Sequence, residues 1–449
     1  MKHLKLIILL FFFSEVSAQT TIVKQDPRIE KMVKEVSSAT IEANVRKLVS
    51  FGTRNTLSDT TSTTTGIGAA GHWIKNEFEK YGEASGGRLK VSYDTFIQPA
   101  DGRRVLKDAV LKNIIAVLPG TDPNDNRIFI VSGHYDSRVS DVNNVTSTAP
   151  GAVDDASGTA VTLELARVMS QQKYHATIIF AALVGEEQGL YGSAHLAKRA
   201  KAEGWNVNAM ITNDIVGNTY SSETDLKDNR SVRVFSEGVP ALETQQEANI
   251  RNAVGGENDG KAREFARYVK EIGERYVDQL EVKLIYRRDR YLRGGDHSSF
   301  SKEGFSAVRV TEMNENFNHQ HQDLRTENGI VYGDLPEFLD YNYIQKICRM
   351  NLAVLANIAE APAEPQNVGV VTSDLTNNTT LKWDAPKSNK PAGYYILMRE
   401  TTAPYWERKT FVTGTQVTVP YSKDNYFFAV QSVDAEGHES AIVFPKPMR

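Results

Sequence analysis

Short, continuously apolar runs alternate with segments of helical spacing through the middle of the chain. "NIIAVLPG", "RIFIVSGHYDS", "ATIIFAALVGEE" and "NAMITNDIVG" have the length and apolar density of strands buried on both faces. Between them, "SGTAVTLELARVMSQQ" and "YGSAHLAKRAKAEG" place apolar residues at helical intervals. Buried strands separated by helices predict an α/β fold, a three-layer αβα sandwich around a mixed, mostly parallel central sheet. Ahead of this region, residues 28–82 read as mainly helical, with Ala70, Trp73, Ile74 and Phe78 on one face of "AAGHWIKNEFEKYG". His72 on that helix reads as a surface or boundary residue. Residues 240–280 form a charged helical stretch, expected as an insertion or an outer layer.

The pattern changes at "APAEPQ", residues 361–366, a Pro/Ala linker. Beyond it, "TTLKWDAP", "AGYYILMRE", "TQVTVP" and "NYFFAVQSVDAEGHES" alternate apolar and polar positions between turn residues. That is the pattern of a small all-β, immunoglobulin-like sandwich. The position of Trp383, the "YYILMR" strand and the final segment resemble a fibronectin type III domain. The expected division is a signal peptide at 1–18, an α/β domain at 19–360, the linker at 361–366 and the β-sandwich at 367–449. The signal reading rests on Lys2 and Lys5, the apolar run Leu6 to Phe13 and the small-residue site Val16-Ser17-Ala18. It implies a secreted or periplasmic protein; the run is too short to span a bilayer, and no other segment reads as transmembrane.

Composition adds three limits. A net charge of −4 leaves no basic footprint, so nucleic acid is not an expected partner. Cys348 is the only cysteine, which excludes an internal disulfide and leaves core packing or metals as sources of stability. Its place in the helical pattern "YIQKICRMNLAVLANIAE" marks it as a buried thiol rather than a nucleophile.

The chemistry lies at the strand ends, where open α/β sheets carry their sites. "RIFIVSG" ends in His134-Tyr135-Asp136, and the loop "PGAVDDASG" carries Asp154 and Asp155 just before a helix. "TIIFAALVG" ends in Glu186-Glu187, and "NAMITN" ends in Asp214. Each alone has an ordinary explanation: Asp155 or Ser157 as a helix cap, the glutamates as a solvated turn, His134 as a core histidine. Together they would repel, each like-charge pair at about 4 Å costing roughly 4 kcal/mol at an effective dielectric of 20. Such a cluster calls for cations, and His with Asp and Glu, without Cys, suits a hydrolytic zinc site.

"SGHYDS", "PGAVDDASG", "LVGEEQGLYGS", "ITNDIVG" and "GGDHSSF…NHQHQD" resemble, in order and spacing, the motifs of the dizinc aminopeptidases of metallopeptidase clan MH, which includes glutamate carboxypeptidase-like enzymes. The resemblance spans roughly residues 40–360 and implies two zinc ions bridged by Asp154. His134 and Asp214 would complete one site, and Glu187 with His319 the other. Asp136 would orient the His134 imidazole, and Glu186 would be the general base toward a metal-bridging hydroxide acting as nucleophile. The three ligand carboxylates and one hydroxide then balance two divalent cations, leaving Glu186 free to handle the proton. His319 is chosen over His321 because it stands four residues before Asp323, the spacing usual in the family. His297 is expected to be structural or substrate-facing rather than a ligand.

The implied activity is exopeptidase hydrolysis of a peptide or protein substrate, with an aminopeptidase preferred. Arg287, Arg288, Arg290 and Arg293 keep a carboxypeptidase or dipeptidase acting at a free carboxylate as the alternative. A single-zinc glutaminyl cyclase and a non-enzymatic receptor-like protein stand further off. Whether the β-sandwich binds a surface or partner, or is a spacer, is open at this level.

Overall fold

The computed structural model describes residues 24–373 and 375–448. The signal segment, residues 1–18, therefore lies outside the described residues.

One eight-stranded sheet organises the larger part of the chain. Its strands are β1 (Lys90–Gln98), β2 (Ala109–Leu118), β3 (Arg127–His134), β4 (Thr177–Leu183), β5 (Asn206–Asn213), β6 (Ser231–Ser236), β7 (Glu281–Ile285) and β8 (Ala307–Glu312), in the spatial order β1-β2-β4-β3-β5-β8-β6-β7. The centre is parallel: β3 pairs with β4 and β5, and β5 pairs with β8. β1/β2, β2/β4 and β6/β8 are antiparallel, and β6/β7 closes the far edge in parallel.

β3, β4 and β5 are buried almost throughout, which is why they read as unbroken apolar runs. β1 escapes that reading, because its residues alternate between exposed and half-buried at the sheet edge. The "NIIAVL" run is β2, and it pairs antiparallel on both sides. Core clusters fill both faces of the sheet. On one face lie helices Ser157–Met169 and Tyr341–Glu360, the latter with Cys348 fully buried. The N-terminal region is helical at Pro27–Glu35, Ser38–Val49 and Gly66–Ala84, where Ile74 and Phe78 are buried and His72 is exposed.

The charged stretch 240–280 contains helices Gln245–Val254 and Lys261–Tyr276. The second is structural rather than peripheral: Phe265, Tyr268, Val269 and Ile272 are buried. A two-stranded hairpin, β9 (Arg325–Glu327) with β10 (Ile330–Tyr332), follows the last motif.

After helix Tyr341–Glu360 come two small sheets, antiparallel but for one edge pair. Their strands are β11 (Gln366–Val371), β12 (Thr379–Asp384), β13 (Gly393–Glu400), β14 (Arg408–Val412), β15 (Gln416–Val419), β16 (Tyr426–Val433) and β17 (Lys446–Met448). β15-β12-β11-β17 and β14-β13-β16 enclose Leu381, Trp383, Tyr394, Ile396, Phe428 and Val430. This unit contacts helix Lys261–Tyr276 through buried polar groups. Glu439 accepts Arg275 at 2.9 Å, Lys409 pairs with Glu271, and Trp406 Nε1 donates to Glu264 at 3.0 Å. Those partners account for the heavy charge on a helix that is nonetheless buried.

Candidate metal centre

β3 is the point at which the chain reverses direction across the sheet, since β4 follows on one side of it and β5 on the other. Connections leaving a parallel sheet at such a point diverge and open a crevice above the strand ends. His134 closes β3, Glu186 and Glu187 follow β4, and Asp214 follows β5.

Two groups of side chains meet in that crevice. His134, Asp154 and Asp214 form one, and Asp154, Glu187 and His321 the other, with the donor atoms of each lying within 4.8 Å of one another. Asp154 belongs to both through different oxygens. Its Oδ1 lies 3.0 Å from His134 Nε2, and its Oδ2 lies 2.9 Å from His321 Nε2. His134 Nε2 is 3.8 Å from Asp214 Oδ1, and His321 Nε2 is 3.0 Å from Glu187 Oε1. Neighbouring ligands around a tetrahedral zinc with bonds of roughly 2 Å stand about 3.3 Å apart, so these spacings fit an ion in each group. His134 Nε2, His321 Nε2 and Glu187 Oε1 are buried without a hydrogen-bond partner among the described residues. Buried polar atoms that face one another without hydrogen bonding suit cation ligands.

The electrostatics agree. Burial opposes charge on His321, yet Glu187 and Asp154 push its pKa up to about 10. His134 is also raised, burial being outweighed by Asp136, Asp154 and Asp214. Burial together with Asp214 and Glu187 lifts the Glu186 carboxyl well above the usual range, against the pull of His134. The crevice draws positive charge in from whatever group can carry it.

The structure places His321 beside Asp154 and Glu187, and not His319. His319 lies flat against Phe338, with ring centroids 3.7 Å apart, and burial alone lowers its pKa to about 4. The fit of His319 to Asp323 was a spacing argument. His321 reaches the crevice because its backbone takes φ +53°, a left-handed turn that spacing cannot reveal. His297 is buried and belongs to neither group, with Nε2 2.7 Å from the Arg288 carbonyl oxygen.

Several neighbours hold these groups in place. The Asp136 carboxylate accepts the backbone N–H groups of Gly185 at 3.0 Å, Glu186 at 3.3 Å and Glu187 at 3.1 Å. It thereby ties the glutamate turn to the histidine strand. His134 Nδ1 lies closer to the Asp136 backbone oxygen, at 3.2 Å, than to its carboxylate, at 3.5 Å. Gly185 enters that turn at φ +74°, a conformation glycine adopts without strain. Asp155 accepts from the N–H groups of His134, Gly158 and Ile215, joining β3, the following helix and the end of β5. The capping role expected for Asp155 is part of this wider one.

Four supporting residues are not singled out by the sequence reading. Asp334 accepts the N–H groups of Val153 at 2.7 Å and Asp154 at 2.8 Å, fixing the backbone of the shared aspartate. Fully buried Arg54 donates to the carbonyl oxygens of Tyr135, Pro150 and Gly151, holding both flanking loops. Arg309, also buried, donates to Asp214 Oδ1 at 2.9 Å. Asp296 is buried with both carboxylate oxygens unpartnered, and burial raises its pKa to about 7. Asp296 sits inside "GGDHSSF", beside His297, so that motif is the signal by which it could be found.

Residues 113–333 match the model of peptidase family M28. A probable zinc metalloprotease of Leptosphaeria maculans is 46% identical over 423 residues, 94% of this chain and 97% of that protein. The chain belongs to peptidase family M28. A probable zinc metalloprotease of Pyricularia oryzae is 44% identical, covering 94% of this chain and 85% of that one. Among solved structures, LapB of Legionella pneumophila superposes with a TM-score of 0.54 at 17% identity, over 75% of this chain and 76% of its own. An aminopeptidase from Aneurinibacillus superposes with a TM-score of 0.51 at 16% identity, over 73% and 96%. At such identities these two establish a shared fold.

Proposed function

We propose that this M28 enzyme is an exported zinc exopeptidase, of aminopeptidase type, using two zinc ions. The observation that carries the two-ion reading is Asp154, whose two oxygens face two separate groups of donors. His134 and Asp214 would hold one ion and Glu187 with His321 the other, Asp154 bridging. The likeness to probable zinc metalloproteases of Leptosphaeria maculans and Pyricularia oryzae supports zinc. When bound, the ions would polarise the scissile carbonyl and make a water molecule acidic. A single-zinc cyclase would have no use for two complete donor groups.

Glu186 would then take the proton from the attacking water and pass it to the leaving amine nitrogen. It follows Gly185 in the turn, lines the cavity and belongs to neither donor group. Arg309 would hold Asp214 in position, and Asp136 the turn that carries Glu186 and Glu187. The aminopeptidase preference draws on the Aneurinibacillus neighbour's description. Export rests on the signal pattern of residues 1–18, and the division at 361–366 on the change of sequence character there. The two facing sheets around Trp383 support a fibronectin type III-like unit. Among the described residues no helix is long and apolar enough to cross a membrane.

The test uses one unblocked peptide and its N-acetylated twin, with and without a chelator. Chelator-sensitive release of the first residue from the free peptide alone is the expected result. Release from the C-terminal end of the acetylated twin would replace the aminopeptidase reading with a carboxypeptidase.

The two histidines give a further test. His321→Ala is expected to lower bound zinc from two ions to one and to cost at least about a hundredfold in kcat/KM. His319→Ala, which leaves the donor groups intact, should retain both ions. Elemental analysis beside activity checks this, and metal loss from the His319 variant alone would restore the spacing argument.

A further inference from the structure

The cavity above the two donor groups, about 370 Å³, is lined by arginines as well as carboxylates: Arg104, Arg138, Arg290 and Arg293. Their situations differ. Arg290 is nearly buried and already paired, with Asp289 at 3.1 Å and Glu315 at 3.1 Å. Arg293 reaches the same Glu315 at 3.6 Å. Arg104 and Arg138 have no ion-pair partner among the described residues. Each is tethered only to backbone oxygens: Arg104 to Glu187 at 2.8 Å, Arg138 to Val139 at 3.0 Å and Ser140 at 2.7 Å. A guanidinium has five N–H donors, so both keep donors uncommitted at the cavity.

The tethers also place them. Arg104 lies in the turn between β1 and β2, where Asp101 accepts the N–H groups of Arg103, Arg104 and Val105. The other oxygen of Asp101 accepts Tyr191 Oη at 2.6 Å, fastening this turn beside the glutamate turn. Arg138 stands two residues past Asp136, on the connection that leaves β3. The rim is thus built, with two fixed cations above the crevice. Two bound zinc ions would balance the ligand carboxylates, so those acids would not neutralise the rim.

We propose that Arg104 and Arg138 form a carboxylate-recognition site, and that the preferred substrate carries a carboxylate close to the scissile bond. This rests on the peptidase reading above. Arginine suits the task because its planar fork matches a carboxylate and charge-assisted hydrogen bonds are short and directional. The carboxylate has two sources, an acidic side chain or the free C-terminus of a very short peptide. The rim chemistry is the same for both.

Two pairs of peptides separate them, assayed with the zinc-replete protein. Glu-Ala-Ala-amide against Gln-Ala-Ala-amide tests the side chain, and Ala-Ala against Ala-Ala-amide tests the terminus. The expected result is a preference of tenfold or more in kcat/KM for the carboxylate member of at least one pair. Arg104→Gln and Arg138→Gln should each reduce that ratio about tenfold or more, as loss of a charged hydrogen bond does. A binding readout independent of turnover is calorimetry of the same peptides on Glu186→Gln protein, where the ratio of Kd values should follow the same order. Equal rates within both pairs, or a preference unchanged in both arginine variants, overturns the proposal and leaves the peptidase reading standing. Hydrolysis of none of the four peptides removes the peptidase reading and this inference with it.

Discussion

Glu186→Gln is expected to keep both zinc ions and lose about 10²- to 10⁴-fold in kcat, the span over which a positioned general base contributes. Glutamine matches glutamate in shape, so the turn is not disturbed. The Glu186 N–H still donates to Asp136, and the side chain belongs to neither donor group. What the substitution removes is the ability to accept a proton in a site that burial and neighbouring acids already bias toward protonation. Elemental analysis and steady-state kinetics on one preparation check it. Unchanged metal with collapsed kcat is the expected pairing; near-normal turnover would refute the role of Glu186, and lost metal would make it a ligand.

The second large effect falls on Asp154. Asp154→Ala is expected to reduce zinc binding at both positions and to abolish measurable turnover, since no other side chain belongs to both groups. His134 Nε2 and His321 Nε2 would then each keep a single carboxylate partner, Asp214 for one and Glu187 for the other. The backbone should stay in place, because Asp334 holds the N–H groups of Val153 and Asp154 independently of the Asp154 side chain. A stability readout separates metal loss from misfolding. Ligand at a hundred times its Kd stabilises by about 2.7 kcal/mol, so chelation should lower the Tm of the native protein. In Asp154→Ala that chelator-sensitive increment should vanish while a cooperative transition persists. A variant that retains both ions would show that Asp154 does not bridge.

Much of the architecture is legible in the pattern of apolar residues. β3, β4 and β5 are buried on both faces, and burial on both faces leaves an uninterrupted apolar run. Their carboxyl ends then located His134, Glu186, Glu187 and Asp214 with no further information. Edge strand β1 was invisible because half of its residues meet solvent. Helix Lys261–Tyr276 reads as an insertion or an outer layer because its charges are satisfied by a unit more than a hundred residues further on, through Trp406, Lys409 and Glu439.

At the site the same line divides what local pattern reveals from what it does not. Residues attached to strand ends were legible, because a strand's direction and end point follow from its own composition. His321 was not, since it sits in a loop whose left-handed backbone decides which of two nearby imidazoles faces the crevice. Arg54, Arg309 and Asp334 were missed for a related reason. Their work consists of hydrogen bonds to segments distant in the chain, and no local pattern records such a partner. The sequence by itself determined the αβα core, the β-strand unit after it and the acidic strand ends, all consequences of periodicity and burial. Only the tertiary structure decided which histidine completes the second donor group and which arginines remain unpaired at the rim, because both depend on distances between residues that the chain separates.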